Sequence, residues 1–292
     1  MNSTTSTSTS AATSTPAKAG TTSAARVLRR SAAVLRRVGA LGRMESTLLV
    51  RNKTALASAI LAPPLMVLLF IPLVDPLADS EGIFAALVIA MMAAFGMLFI
   101  AYYNLTTTAV ARREELMLKR LLTGELSVAE VLVGMAIPAA MIIGAQLVLV
   151  TVVVAFAFPL PAPTNPVLVV VAITGGCLAF SMFGYASSGL TKTVESAQLT
   201  TLPVIFVALL ASGLAFPLEA LPDVVQRIAE FTPLAPVVTL IELGITGRDS
   251  DGAAHTFAES LGAGLLPLAV LAAWCVSGVV ATRRWMRWEP RR

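Results

Sequence analysis

Apolar residues run along this chain in long unbroken blocks, at about 55–74, 83–103, 128–157, 167–190, 198–217 and 262–282, separated by shorter polar stretches. Each block is close to the roughly 20 residues that a helix needs to cross a bilayer core about 30 Å thick. The blocks are continuous rather than alternating, so they predict α-helices and not the strands of a membrane barrel. The expected architecture is an all-α membrane protein with six transmembrane helices. Composition agrees: 57% of residues are hydrophobic and 13% charged, against about 25% charged in soluble domains.

The pattern changes ahead of the first block. In "RVLRRSAAVLRRVGALGRMESTLLVRNK", Val27, Val34, Val38 and Leu41 share one side of a helical wheel with Leu28 and Leu35 beside them, and Arg29, Arg30, Arg36, Arg37 and Arg43 take the other. Residues 26–50 therefore predict an amphipathic helix lying in the membrane interface, its arginines toward anionic head groups of the membrane lipids. The alternative is a plain orientation signal. Residues 1–25, rich in Ser, Thr and Ala, have no apolar core. They are expected to be a disordered cytoplasmic tail rather than a cleavable signal peptide. The six-span domain then occupies 51–283 and a basic tail 284–292.

Charge fixes the expected orientation. Of 21 basic residues only Arg227 and Arg248 fall outside the N-terminal segment, the connections after the second and fourth blocks, and the C-terminal tail. Both ends should then face the cytoplasm, with 218–260 as an outer loop. The net charge of +4 is explained by this topology and implies no nucleic-acid partner.

Several chemistries are excluded. There is no G-x-x-x-x-G-K-[ST] and no Gly-Lys pair, so no phosphate-binding loop is expected and no cofactor is assigned to this chain. His255, the only histidine, lies in the expected outer loop as a solvated residue, far from any membrane serine; no nucleophile and base can pair there. Cys177 and Cys275 sit in blocks four and six as small hydrophobes. No catalytic or metal-binding residue is assigned. Ion-coupled carriers usually keep ionisable residues in their spans. Of the acidic and basic residues the blocks hold only Glu130, with Glu195 just ahead of the fifth, both near cytoplasmic ends, and the third block holds the neutral Gln146. Tyr102 and Tyr103 read as interface anchors at the inner end of the second span.

The cytoplasmic stretch between blocks two and three is "ARREELMLKRLLTGELSVAEVLVG". Read as one helix over 111–122, it places Glu115 and Lys119 as an i, i+4 pair and gives Leu118, Leu121 and Leu122 a common apolar edge. It is either a docking element or a solvated connector.

This stretch resembles the coupling region of ABC-2 type transporter permeases, the membrane subunits of bacterial type-2 ABC exporters. The resemblance rests on Glu114 and Glu115, Leu118 to Leu121, Thr123-Gly124, Leu126-Ser127 and Glu130, with Glu125 where a proline is common. A second resemblance lies in "SGLAFPLEALPDVVQRIAEFTPLAPVVTLIELGITG", in Ser212, Gly213, Pro217, Leu218, Leu221, Pro222, Pro233 and Leu234. The start of span one, "RMESTLLVRNKTALASAILAPPLMVLL", is similar to the family as well. The resemblance implies a coupling helix within 106–126 that docks a separate ATP-binding subunit. Its docking residues would be Arg112, Arg113, Glu114, Glu115, Leu118, Lys119, Arg120 and Leu121. It also implies short re-entrant helices between spans five and six, a second permease subunit, identical or related, and ATP with Mg on the partner. The resemblance implies export, and an expected pathway lining that is apolar with a few hydroxyls favours a lipophilic or amphipathic cargo (drug, lipid or similar); a secondary transporter or channel not coupled to ATP is the alternative.

Overall fold

A backbone inside a bilayer has no water to bond, so each long apolar run must satisfy its own N–H and C=O groups as a helix. The computed structural model describes residues 23–71, 82–124, 126–212, 223–249 and 252–289, and among them it contains helices and no strand. In chain order these are α1 (Ser23–Arg51), α2 (Lys53–Phe70), α3 (Ile83–Gly96), a π-helix (Met97–Asn104), α4 (Leu105–Glu114), α5 (Met117–Leu122), α6 (Val128–Ala157), α7 (Pro166–Leu190), α8 (Val194–Leu210), α9 (Asp223–Glu230), α10 (Ala235–Thr246), α11 (Phe257–Ala263) and α12 (Leu265–Trp285). The disordered tail expected over residues 1–25 lies almost wholly outside the described residues.

Among the described residues, five segments are long and apolar enough to cross a membrane: α2, the continuous Ile83–Glu114 run, α6, α7 and α12. The fifth block behaves differently. It is expected to extend to residue 217, but α8 ends at Leu210 after 17 residues, and residues 213–222 lie outside the described set. Among the described residues, five segments therefore have the length and composition of a membrane span.

The Ile83–Glu114 run is the centre of the bundle, and every α3 residue but Ile83 and Leu87 is buried. Its lower part is wound as a π-helix, so carbonyls step out of the regular ladder. There Thr106 Oγ1 donates to the carbonyls of Tyr102 and Gly184, at 2.6 and 3.2 Å. Tyr102 is no interface anchor: it is 2% exposed and its hydroxyl meets Ser187 Oγ at 3.2 Å.

α1 lies along the start of α6 because two glycines remove the side chains that would hold the helices apart. A Cβ on Gly134 would stand 2.6 Å from Leu41 Cδ2, and one on Gly42 would stand 2.5 Å from Ile137 Cδ1. Leu41 is thus inserted into α6 rather than left for the interface, while Leu35 is exposed.

Of the helices between α8 and α12, α10 is packed deeply against its neighbours, whereas α9 and α11 are largely exposed where described. The backbone N–H groups of Thr164 and Asn165, at the Pro166 end of α7, donate to the carbonyls of Ile245 and Gly244, at 3.3 and 2.8 Å. Ten residues further down α7, Val237 packs over Gly176. α10 therefore runs antiparallel to α7 along its upper half. At its lower end, Trp274 Nε1, nine residues into α12, donates to the Phe231 carbonyl at 2.8 Å. All of α10 is buried except one stripe, Thr239, Glu242 and Thr246.

Cys177 and Cys275 are free thiols, and Cys275 donates to the Gly175 carbonyl at 3.3 Å. His255 is not simply solvated: its Nε2 lies 2.8 Å from Asp249 Oδ2.

Candidate functional site

Residues 105–130 form an elbow and not the single helix expected over 111–122. α4 ends at Glu114, Leu116 adopts a left-handed conformation (φ 57°), and α5 begins at Met117. An L-residue other than Gly, Asn or Asp pays roughly 1–2 kcal/mol in that region, so surrounding contacts must hold the turn. The next helix starts with a capping box: Ser127 Oγ accepts from the Glu130 N–H at 3.3 Å, and Glu130 Oε2 accepts from the Ser127 N–H at 2.7 Å.

The break rotates α5 relative to α4 and changes every partner that a continuous helix would give. Glu115 meets Arg112 at 3.1 Å instead of Lys119, and Lys119 meets Glu289, beyond α12, at 2.8 Å. That ammonium holds the Glu289 carboxyl below the usual carboxylate range. Leu118 faces inward and is 1% exposed, in an apolar cluster with Leu41, Leu105, Val131, Met135 and Tyr185. Leu121 is half-buried at the edge of the same cluster.

The two arginines also turn inward. Arg112, with a side chain 13% exposed, forms a forked pair with Glu45 of α1, its Nε and Nη2 lying 3.2 and 3.1 Å from Oε2. Arg113 is 1% exposed; it donates to the Ser188 and Thr191 carbonyls, both at 2.6 Å, and to the Lys192 carbonyl at 3.3 Å. These carbonyls close the C-terminus of α7, where helical donors are lacking and the helix dipole favours a cation. A third arginine, Arg37 of α1, reaches Glu130 at the start of α6, with Nη2 2.6 Å from Oε1.

The elbow is thus tied to α1 through Arg112, to the α7–α8 turn through Arg113, to the α12 extension through Lys119, and to α1, α6 and α7 through Leu118. Glu114, Leu116 and Arg120 are exposed at the elbow, as are Glu115 and Lys119 within their ion pairs. Of the residues singled out by sequence, Arg112, Arg113 and Leu118 are internal couplers, and Glu114, Glu115, Lys119 and Arg120 form the outward face. Sequence reasoning missed Glu45, the acidic position on an otherwise basic helix, and Leu116. In the second signature, Gly213, Pro217, Leu218, Leu221 and Pro222 lie outside the described residues. Pro233 is half-buried just before α10.

The arrangement has the form of a lever, with exposed side chains at the elbow and buried ones in contact with α1, α6, α7 and the segment after α12. The profile of the ABC-2 type transporter family matches residues 36–243, which include α2 through most of α10 and the whole elbow. The chain belongs to the ABC-2 type transporter family. It is accordingly a multi-pass membrane component of a transport system, and members of this family generally work with an ABC ATP-binding partner. Nodulation protein J of Rhizobium leguminosarum bv. viciae is 32% identical over 120 residues, which is 41% of this chain and 43% of that protein. The matched stretch spans less than half of that relative.

Proposed function

We propose that this chain is the transmembrane permease subunit of an ATP-binding-cassette exporter, moving a lipophilic or amphipathic substrate outward across the cytoplasmic membrane. The observation that carries the reading is the elbow: Glu114, Leu116 and Arg120 exposed to a partner, and the ends of α1, α6, α7 and α12 in contact with its other side chains. ATP and Mg would be held by a separate subunit docked beneath Glu114, Leu116 and Arg120. Two permease subunits, identical or related, would enclose the pathway. Closure of the ATPase pair then displaces α4 and α5, and their buried arginines pass that displacement to the membrane helices as a shift between two settings.

In this reading both termini are cytoplasmic, α8 is a sixth crossing completed by the residues after Leu210, and α10 is a re-entrant helix descending from the outer surface. The amphipathic α1 lies at the inner interface among membrane lipids. Single-cysteine labelling in a Cys177→Ala/Cys275→Ala background is expected to mark position 253 from outside and position 287 only after permeabilisation. Outside labelling at 287 would reverse the topology.

The permease reading also predicts that the purified chain neither binds nor hydrolyses ATP, and that it co-purifies with ATP-binding subunits when they are co-expressed. Stoichiometric nucleotide binding by the isolated chain would overturn it.

One observation favours a secondary, ion-coupled carrier: Glu242, a half-buried carboxyl on the otherwise buried α10, is the kind of residue that a coupled ion requires. Transport that continues after ATP depletion, and stops in Glu242→Gln, would select that alternative.

A further inference from the structure

α2 contains Pro63 and Pro64 in its middle. Proline has no N–H, so the carbonyls four residues earlier, on Ala59 and Ile60, lose their helical donors. Both are supplied from another helix. Gln146 of α6 donates through Nε2 to the Ala59 carbonyl at 3.1 Å and to the Ile60 carbonyl at 3.0 Å. Gln146 is 8% exposed, and its Oε1 is buried without a hydrogen-bond partner. The amide is therefore fixed by its two donated bonds alone. In hydrocarbon an unsatisfied carbonyl is costly, so these two bonds support α2 where its prolines remove the helical donors.

Past the break, α2 stands away from α6. Val67, Leu68 and Ile71 face Leu149 and Val153 across an apolar wedge of about 320 Å³, and Gln146 lines it as well. Its lips, Leu68 and Leu149, are 64% and 63% exposed.

We propose that Gln146 is a positioning residue that latches a hinge at Pro63–Pro64. With both bonds made, the second half of α2 holds the wedge in its observed width. With them broken, that half swings outward and the wedge admits an apolar molecule from the bilayer. That this molecule is transported cargo rests on the permease reading; the hinge and its latch do not.

The test uses the full chain in lipid nanodiscs, with spin labels on Leu68→Cys and Leu149→Cys in the Cys177→Ala/Cys275→Ala background. Each neutral hydrogen bond lost shifts a two-state equilibrium roughly fivefold. Gln146→Leu is therefore expected to raise the wide-distance population roughly twentyfold or more, and to increase labelling of the wedge by a bilayer-dissolved diazirine alkane. Adding Pro63→Ala/Pro64→Ala returns the N–H donors to α2 and should restore the narrow distance distribution and the low labelling. A role in packing alone would not be rescued by the alanines. If Gln146→Leu by itself does not fold, recovery of a folded, narrow-distance protein in the triple variant supports the latch. An unchanged distance distribution and labelling in Gln146→Leu, or no rescue by the alanines, overturns it.

Discussion

Arg113→Met is expected to destabilise the protein by about 3–5 kcal/mol and to bring transport down to background. The estimate follows from what the guanidinium holds. Two bonds of 2.6 Å and a third of 3.3 Å run to backbone carbonyls at the α7–α8 turn, on a side chain that is 1% exposed. Charge-assisted bonds contribute roughly 1.5–3 kcal/mol each, and methionine fills the volume but leaves the carbonyls without donors. Arg113→Lys keeps the charge at the helix terminus but loses the fork. It should recover part of the stability and little of the transport, because a single ammonium does not fix the angle between α4 and α7. Unfolding midpoints in detergent, measured beside transport in vesicles, separate the two effects. Wild-type stability in Arg113→Met would mean that the α7–α8 turn is held by other contacts.

Leu116→Asp and Leu118→Asp, two residues apart, are expected to fail in opposite ways. Leu116 is 43% exposed and already in the left-handed region, which aspartate tolerates better than leucine. The variant should fold normally and lose its ATP-binding partner by tenfold or more, as for an exposed anchor placed into a partner's pocket. Glu114→Lys/Arg120→Glu, which reverses exposed charges on the same face, should act likewise. Leu118 is 1% exposed within the cluster beneath the elbow, so a carboxylate there is desolvated without a partner and the fold itself should suffer. Expression level and partner capture, measured for each variant, distinguish these outcomes. Equal loss of folding in both would place Leu116 inside the protein.

The helical spans were legible because lipid demands long uninterrupted apolar runs, and such runs need no knowledge of contacts. The elbow was legible as a place and not as a shape. A leucine in the left-handed region carries no signal in the sequence, and that residue decides that Leu118 turns inward and that Lys119 finds Glu289 rather than Glu115. Long-range polar pairs were equally hidden: Glu45 and Arg112 are separated by 67 positions, and nothing local to either names the other. Gln146 was visible as an isolated polar residue, but its purpose lies in two prolines on another helix. α10 escaped because 12 apolar residues are too short for a span-length hydropathy window, although packing buries nearly all of them.

The claim that the elbow is where an ATP-binding subunit meets this permease is tested most directly by a photo-crosslinking residue at Leu116, with the same residue at Ala253 as control, in membranes containing the co-expressed ATP-binding subunits. The account predicts a crosslink to the ATP-binding subunit from position 116 and none from 253. A functional transporter that gives no crosslink from 116, or gives it from 253, would contradict the account.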